Sequence, residues 1–191
     1  MCGNAMLAAV FVYWRNIAFN NPRMSIFGYD IKTSKDFFVK FLDEREDFLS
    51  NPTSSRFAMN CALNGWHLHE WIYNEYKTLP TINAFNTIKD FRIDLIKRCG
   101  HLRYFRDLAD GSKHFVLGRI TNTIVDTEIK EVGEPWGLYN VFPSPTLIVK
   151  STDFQMTFDD ILYSVSFFWY TYLSKELNVE LGTIFKNYSS F

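Results

Sequence analysis

At 191 residues and 22.5 kDa the chain suits one domain, and its 47% apolar and 18% aromatic content supplies an ample core and excludes a disordered polymer. The 20 Lys and Arg stand against 21 Asp and Glu, a net charge of −1, so no global field draws in nucleic acid. Any such contact needs a local basic patch.

The three cysteines, Cys2, Cys61 and Cys99, have no metal-ligand spacing, which points to a reducing, cytoplasmic setting. Cys61 lies in an apolar helical run and reads as a small core residue. The apolar run from Ala5 to Trp14 is too short to span a bilayer, so no membrane partner is expected. Met24 opens a more ordinary start. Residues 1–23 read as an N-terminal extension, either upstream of the true start or adding a strand or short helix. Residues 24–191 read as a single domain.

The first helix is expected over 34–49, capped by Thr33 or Ser34 and ended by Asn51-Pro52. Phe37, Phe38, Phe41, Leu42 and Phe48 form its apolar stripe, and Asp43, Glu44, Arg45 and Glu46 are expected to face water. A long helix is expected over 54–77, capped by Ser54 or Ser55, with a broad apolar face from Phe57 to Tyr76. Ile82, Phe85, Ile88, Phe91 and Leu95 predict a helix over 82–98. After a break at Cys99-Gly100 another helix is expected over 101–110, with Gly111 as its left-handed cap.

The period then changes. Phe115–Ile120 and Thr123–Val132 read as strands joined by a turn at Thr121-Asn122. In the second run Val125, Thr127 and Ile129 alternate with Asp126, Glu128 and Lys130. Thr146–Lys150 reads as a third strand, and Phe154–Met156 offers a fourth. Trp136, Tyr139 and Phe142, in the loop before the third strand, read as core cover or an interaction patch. Thr157-Phe158-Asp159-Asp160 starts a last helix over about 158–178, below transmembrane length. The tail after Leu181 is polar and expected to be loose. The fold class is therefore α+β: a bundle of four to five helices with a small antiparallel sheet inserted before the C-terminal helix.

One polar stretch, Arg103 to His114, sits between the helical and strand-rich parts. Arg103 and Asp107 are four apart, as are Arg106 and Asp110, so two solvated ion pairs on a helix face account for these charges. A chemical reading adds Lys113 and His114. On an unbroken helix Arg106 and His114 would be about 12 Å apart along the axis, whereas a bend at Gly111 returns His114 beside Arg106. Arginine binds phosphate in a planar fork and histidine titrates near neutrality, which suits phosphodiester chemistry.

A helix carrying Arg106-Asp107 and followed by His114, in a mostly helical core, resembles the HEPN superfamily. Members carry an Arg, commonly followed by a polar residue, and a His with four to six residues between it and the Arg. Seven residues separate the pair here, and the resemblance covers about residues 34–114. It implies a helical bundle that dimerises and, in many members, metal-independent RNA cleavage. Arg106 would hold the phosphate and His114 would assist proton transfer at a ribose hydroxyl. No cofactor is implied. The His-Leu-x-Glu-Trp helix paired with Arg-Asp and Lys-His also resembles bacterial proteins of similar pattern, from which no activity carries over.

Upstream, Trp66-His67-Leu68-His69-Glu70-Trp71 forms a second polar cluster. His67 and Glu70 share a helix face and would orient Arg106 or His114 from across a helix interface, with Asp107 and Lys113 as further support. His67, His69 and Glu70 also suit a bundle metal site, but the chain has only 4 His and no second such pair. Three readings stand: a HEPN-like phosphodiesterase acting on RNA, a non-catalytic binding or assembly module with the same fold, and a helix-bundle metalloprotein.

Overall fold

The computed structural model describes residues 30–112, 124–132, 144–152 and 154–182. The chain divides after Lys32, and every element below belongs to the unit that begins at Thr33. The architecture is α+β. Six α-helices and a three-stranded antiparallel sheet appear among the described residues, with the sheet placed before the C-terminal helix.

Helix α1 (Ser34–Ser50) starts at a capping box: the Thr33 hydroxyl accepts from the Asp36 amide while the Asp36 carboxylate accepts from the Thr33 amide. Phe38, Phe41, Leu42 and Phe48 are fully buried on its inner face. Arg45, expected in water, is only 4% exposed and donates to Glu46 from within the packed surface. Its long stem covers apolar neighbours while the charged head keeps a partner.

Helix α2 (Ser55–Tyr76) is capped by Ser54 and is the central element. It packs against α1, and its far end is tied back to the start of α1 by the Ser34 amide, which donates to Glu75 at 2.6 Å. Cys61 is fully buried, as a core residue should be, and burial pushes its thiol far above the ordinary range. Gly65 sits where three other helices meet α2. A Cβ there would stand 2.6 Å from Phe105 Cδ2 and 3.0 Å from Phe41 Cε2. The Gly65 carbonyl also accepts a buried hydrogen bond from Trp169 Nε1 at 2.8 Å.

The single helix expected over 82–98 is two helices. Pro80, with its fixed φ and no amide to satisfy, opens the short α3 (Pro80–Asn83). A second capping box, Thr87 with Asp90, then starts α4 (Ile88–Arg98) afresh. Phe85 lies between them, its ring 5.3 Å from that of Phe91.

Helix α5 (Leu102–Gly111) packs its Phe105 into α2. Gly111 is not a left-handed cap. It is helical, and Ser112 follows in right-handed geometry with its amide bonded to the Leu108 carbonyl.

Strand β1 (Ile124–Val132) pairs antiparallel with β2 (Ser144–Ser151), which pairs with β3 (Gln155–Thr157). Leu147, Ile148 and Val149 make β2 the buried centre. The apolar letters of β1 do not make a buried face: Thr127 and Ile129 are exposed, Ile129 at 54%, as are Asp126 and Lys130, and Glu128 is half-buried between Lys130 and Lys150. The strand expected over 115–120, the Thr121-Asn122 turn, the aromatic loop at 136–142, the tail beyond Gly182 and the extension at 1–23 lie outside the described residues.

Helix α6 (Phe158–Thr171) follows β3 directly and continues as a π-helical turn, Tyr172–Glu176. Its first residue plugs the core: the Phe158 ring meets Phe48 edge-on at 4.9 Å and stacks on Phe105 at 5.8 Å. Among the described residues no helix is long and apolar enough to cross a membrane.

Candidate functional site

The sequence places Arg106 and Asp107 on α5, and the structure joins them to each other. Arg106 Nε and Nη2 both donate to Asp107 Oδ1, at 2.9 and 2.8 Å. Asp107 is buried, and its other oxygen accepts from the Ile124 amide at 3.4 Å, where β1 begins. A buried carboxylate without partners would be costly; here both oxygens are occupied. The i, i+4 pairing of Arg103 with Asp107 is not formed, because Asp107 turns inward toward the sheet. Arg103 instead donates to the Tyr104 hydroxyl at 3.3 Å, its guanidinium 5.1 Å from that ring. Arg106 keeps about a fifth of its side chain in contact with solvent, 21%, and Nη1 is the part of its fork that Asp107 does not engage. Lys113 and His114 lie outside the described residues.

Glu70 and His67 belong to a different assembly, between α2 and α4. Arg92 of α4 donates from Nη2 to Glu70 Oε1 at 2.9 Å and from Nε to His69 Nε2 at 2.6 Å. His67 Nδ1 stands 3.8 Å from the same Glu70 oxygen. With His67 as the leading cause, and His69 and Arg92 adding to it against the effect of burial, the Glu70 carboxyl is held down at about 2. Glu70 therefore stays ionised through the whole physiological range.

His69 is fully buried, and burial, assisted by the Arg92 charge, lowers its pKa to about 4. It is neutral at neutrality, and its contacts fix the tautomer. Nε2 must accept, since Arg92 donates to it, so Nδ1 carries the proton and donates to the Trp66 carbonyl. The 3.8 Å approach of Nε2 to Glu70 is for that reason not an ion pair. Each arginine has its own carboxylate: Arg92 takes Glu70 and Arg106 takes Asp107.

Sequence reasoning missed Arg92, which carries no local signal tying it to residues more than twenty positions earlier. The burial of His69 did have a signal. It falls on the same stripe as Ala58, Cys61, Ala62, Gly65 and Ile72, the face that α2 buries. Among the described residues, no three His, Cys, Asp or Glu side chains converge to hold a metal ion. No family model, curated protein or solved structure matches the chain.

Proposed function

We propose that the protein is a non-catalytic binding and assembly module whose polar stretch fastens the helices to the sheet. The observation that supports this reading is Asp107. It is buried midway along α5, holds Arg106 with one oxygen and takes the first amide of β1 with the other. A carboxylate so placed does structural work. An arginine forked onto it has committed its Nε–Nη2 edge to a neighbour in the same helix, the edge that would grip a phosphate in two parallel bonds. The Glu70, His69 and Arg92 group plays the matching part between α2 and α4.

A second reading is the HEPN-like phosphodiesterase, with Arg106 on phosphate and His114 as acid or base. The partial exposure of Arg106 favours it, since Nη1 remains available for an anion. One experiment divides the two. The protein is incubated with RNA in chelator, as wild type and as Arg106→Ala and His114→Ala, and each variant is also melted. The module reading expects no cleavage by any of them and a lowered melting temperature for Arg106→Ala. Cleavage by the wild type that both variants lose while remaining folded overturns it in favour of the nuclease.

A further inference from the structure

Among the described residues β1 pairs with β2 alone, so its other side is a sheet edge. From Asp126 to Val132 the ladder with β2 is unbroken, and the edge therefore offers a regular row of backbone donors and acceptors. Long edges usually carry a bulge, a proline or a charge that repels another strand. Here the irregularity lies at the start, between Ile124 and Asp126, where Asp107 also takes the Ile124 amide. The charges along the rest, Asp126, Glu128 and Lys130, are of both signs. They repel or attract a second strand according to its register.

The core-facing side of the sheet is covered under β2 and bare at β1. Ile129 lies opposite Leu147 and Thr127 opposite Val149, so all four share one face. Leu147 and Val149 are buried, at 7% and 1% exposure, whereas Ile129 is 54% exposed. An apolar side chain on the core-facing side thus stands in water at the rim, and a further strand beside β1 would cover it. On the opposite face Glu128 is held by Lys130 at 2.5 Å and by Lys150 at 2.6 Å, and Lys150 also meets Asp126 at 3.3 Å. Lys150 can therefore keep Glu128 while Lys130, 45% exposed, turns to a carboxylate outside its own chain.

We propose that β1 pairs antiparallel with β1 of a second copy of this chain, about a two-fold axis at Ile129. A two-fold normal to a sheet sets one residue opposite its own image, and opposed side chains share a face. That ranks the inner positions. Centred on Thr127, Asp126 would meet Glu128 of the second copy, two like charges. Centred on Glu128 or on Lys130, a charge would meet itself at the axis. Centred on Ile129, Glu128 meets Lys130 of the second copy on both sides of the axis, and the two isoleucines cover each other on the other face. The edge charges then select the chain's own copy instead of repelling it. This pairing rests on the assembly-module reading and names its partner. It lies outside residues 34–114, the span of the HEPN resemblance.

The test is sedimentation equilibrium of the full chain over a concentration series. The samples are wild type, Glu128→Lys, Lys130→Glu and an equal mixture of the two variants, with circular dichroism to check each fold. The wild type is expected to pass from 22.5 kDa to twice that mass as concentration rises. Each variant alone sets like charges opposite one another and should raise the dissociation constant about ten-fold or more. In the mixture every reversed side chain again meets the opposite sign, so the dimer should return, which a misfolded variant could not achieve. A wild type that stays monomeric overturns the pairing and leaves the edge to an extended segment of another protein, with the module reading intact. RNA cleavage in the earlier experiment overturns that reading without changing the mass. A dimer that both variants keep places the interface elsewhere and overturns the pairing. Weakening without recovery in the mixture overturns the register on Ile129.

Discussion

Acid should weaken this fold through His69 before it reaches the carboxylates. The imidazole falls from 6.5 to about 4 on folding, so the unfolded chain binds its proton more readily than the folded one. Stability from this group is fully present above the unfolded value and declines as pH drops from there toward the folded value. The difference corresponds to about 3 kcal/mol when complete, of which about 2 kcal/mol is lost between neutrality and pH 5. That is a large fraction of an ordinary domain's stability. The assay is urea denaturation as a function of pH, comparing wild type with His69→Gln, whose amide still offers an acceptor and a donor but does not titrate. His101, also depressed by burial, contributes equally to both proteins and cancels in the comparison. The wild type should lose stability more steeply across that interval. Parallel curves would refute the reasoning, as would a directly measured His69 pKa near 6.5. Nitrogen-resolved spectra should find the proton on Nδ1, since Arg92 donates to Nε2.

Replacing Gly65 with Ala should destabilise by about 1–3 kcal/mol, because Phe105 and Phe41 must move to admit the methyl group; thermal melting reads it. Trp169→Phe leaves the core apolar but deletes the bond to the Gly65 carbonyl, and should cost about 1–2 kcal/mol by urea melts. Thr87→Ala removes the hydroxyl half of the second capping box and should cost about 1 kcal/mol, with faster amide exchange at Asp90 than in wild type.

Much of the architecture was legible. Helix starts at Thr33 and Ser54, the aromatic stripe of α1 and the change of period toward strands follow from local rules, and the structure has each of them. Two local signals were read past. Pro80 and the Thr87-x-x-Asp90 box both mark helix starts, yet the continuous apolar period across 82–98 masked them. The polar residues were harder. A pairing such as Arg92 with His69 depends on which helices touch, and no spacing along one helix reports it. Likewise, the i, i+4 rule predicts Arg103 with Asp107 on an isolated helix. It fails here because the sheet offers Asp107 a backbone amide that solvent does not. Arg45 and Ile129 fail the simple inside–outside rule for the same reason: burial is set by neighbours distant in sequence.

The bond from Trp169 to the Gly65 carbonyl joins positions 104 residues apart. During synthesis, α1, α2, α4 and α5 leave the ribosome well before α6 is made. Until then the nascent chain shows the surrounding water, or a chaperone, the hollow that Phe158, Val165 and Trp169 later fill. The final seal is thus a C-terminal event, and a premature stop ahead of Phe158 would release a polypeptide with its greasiest cleft open.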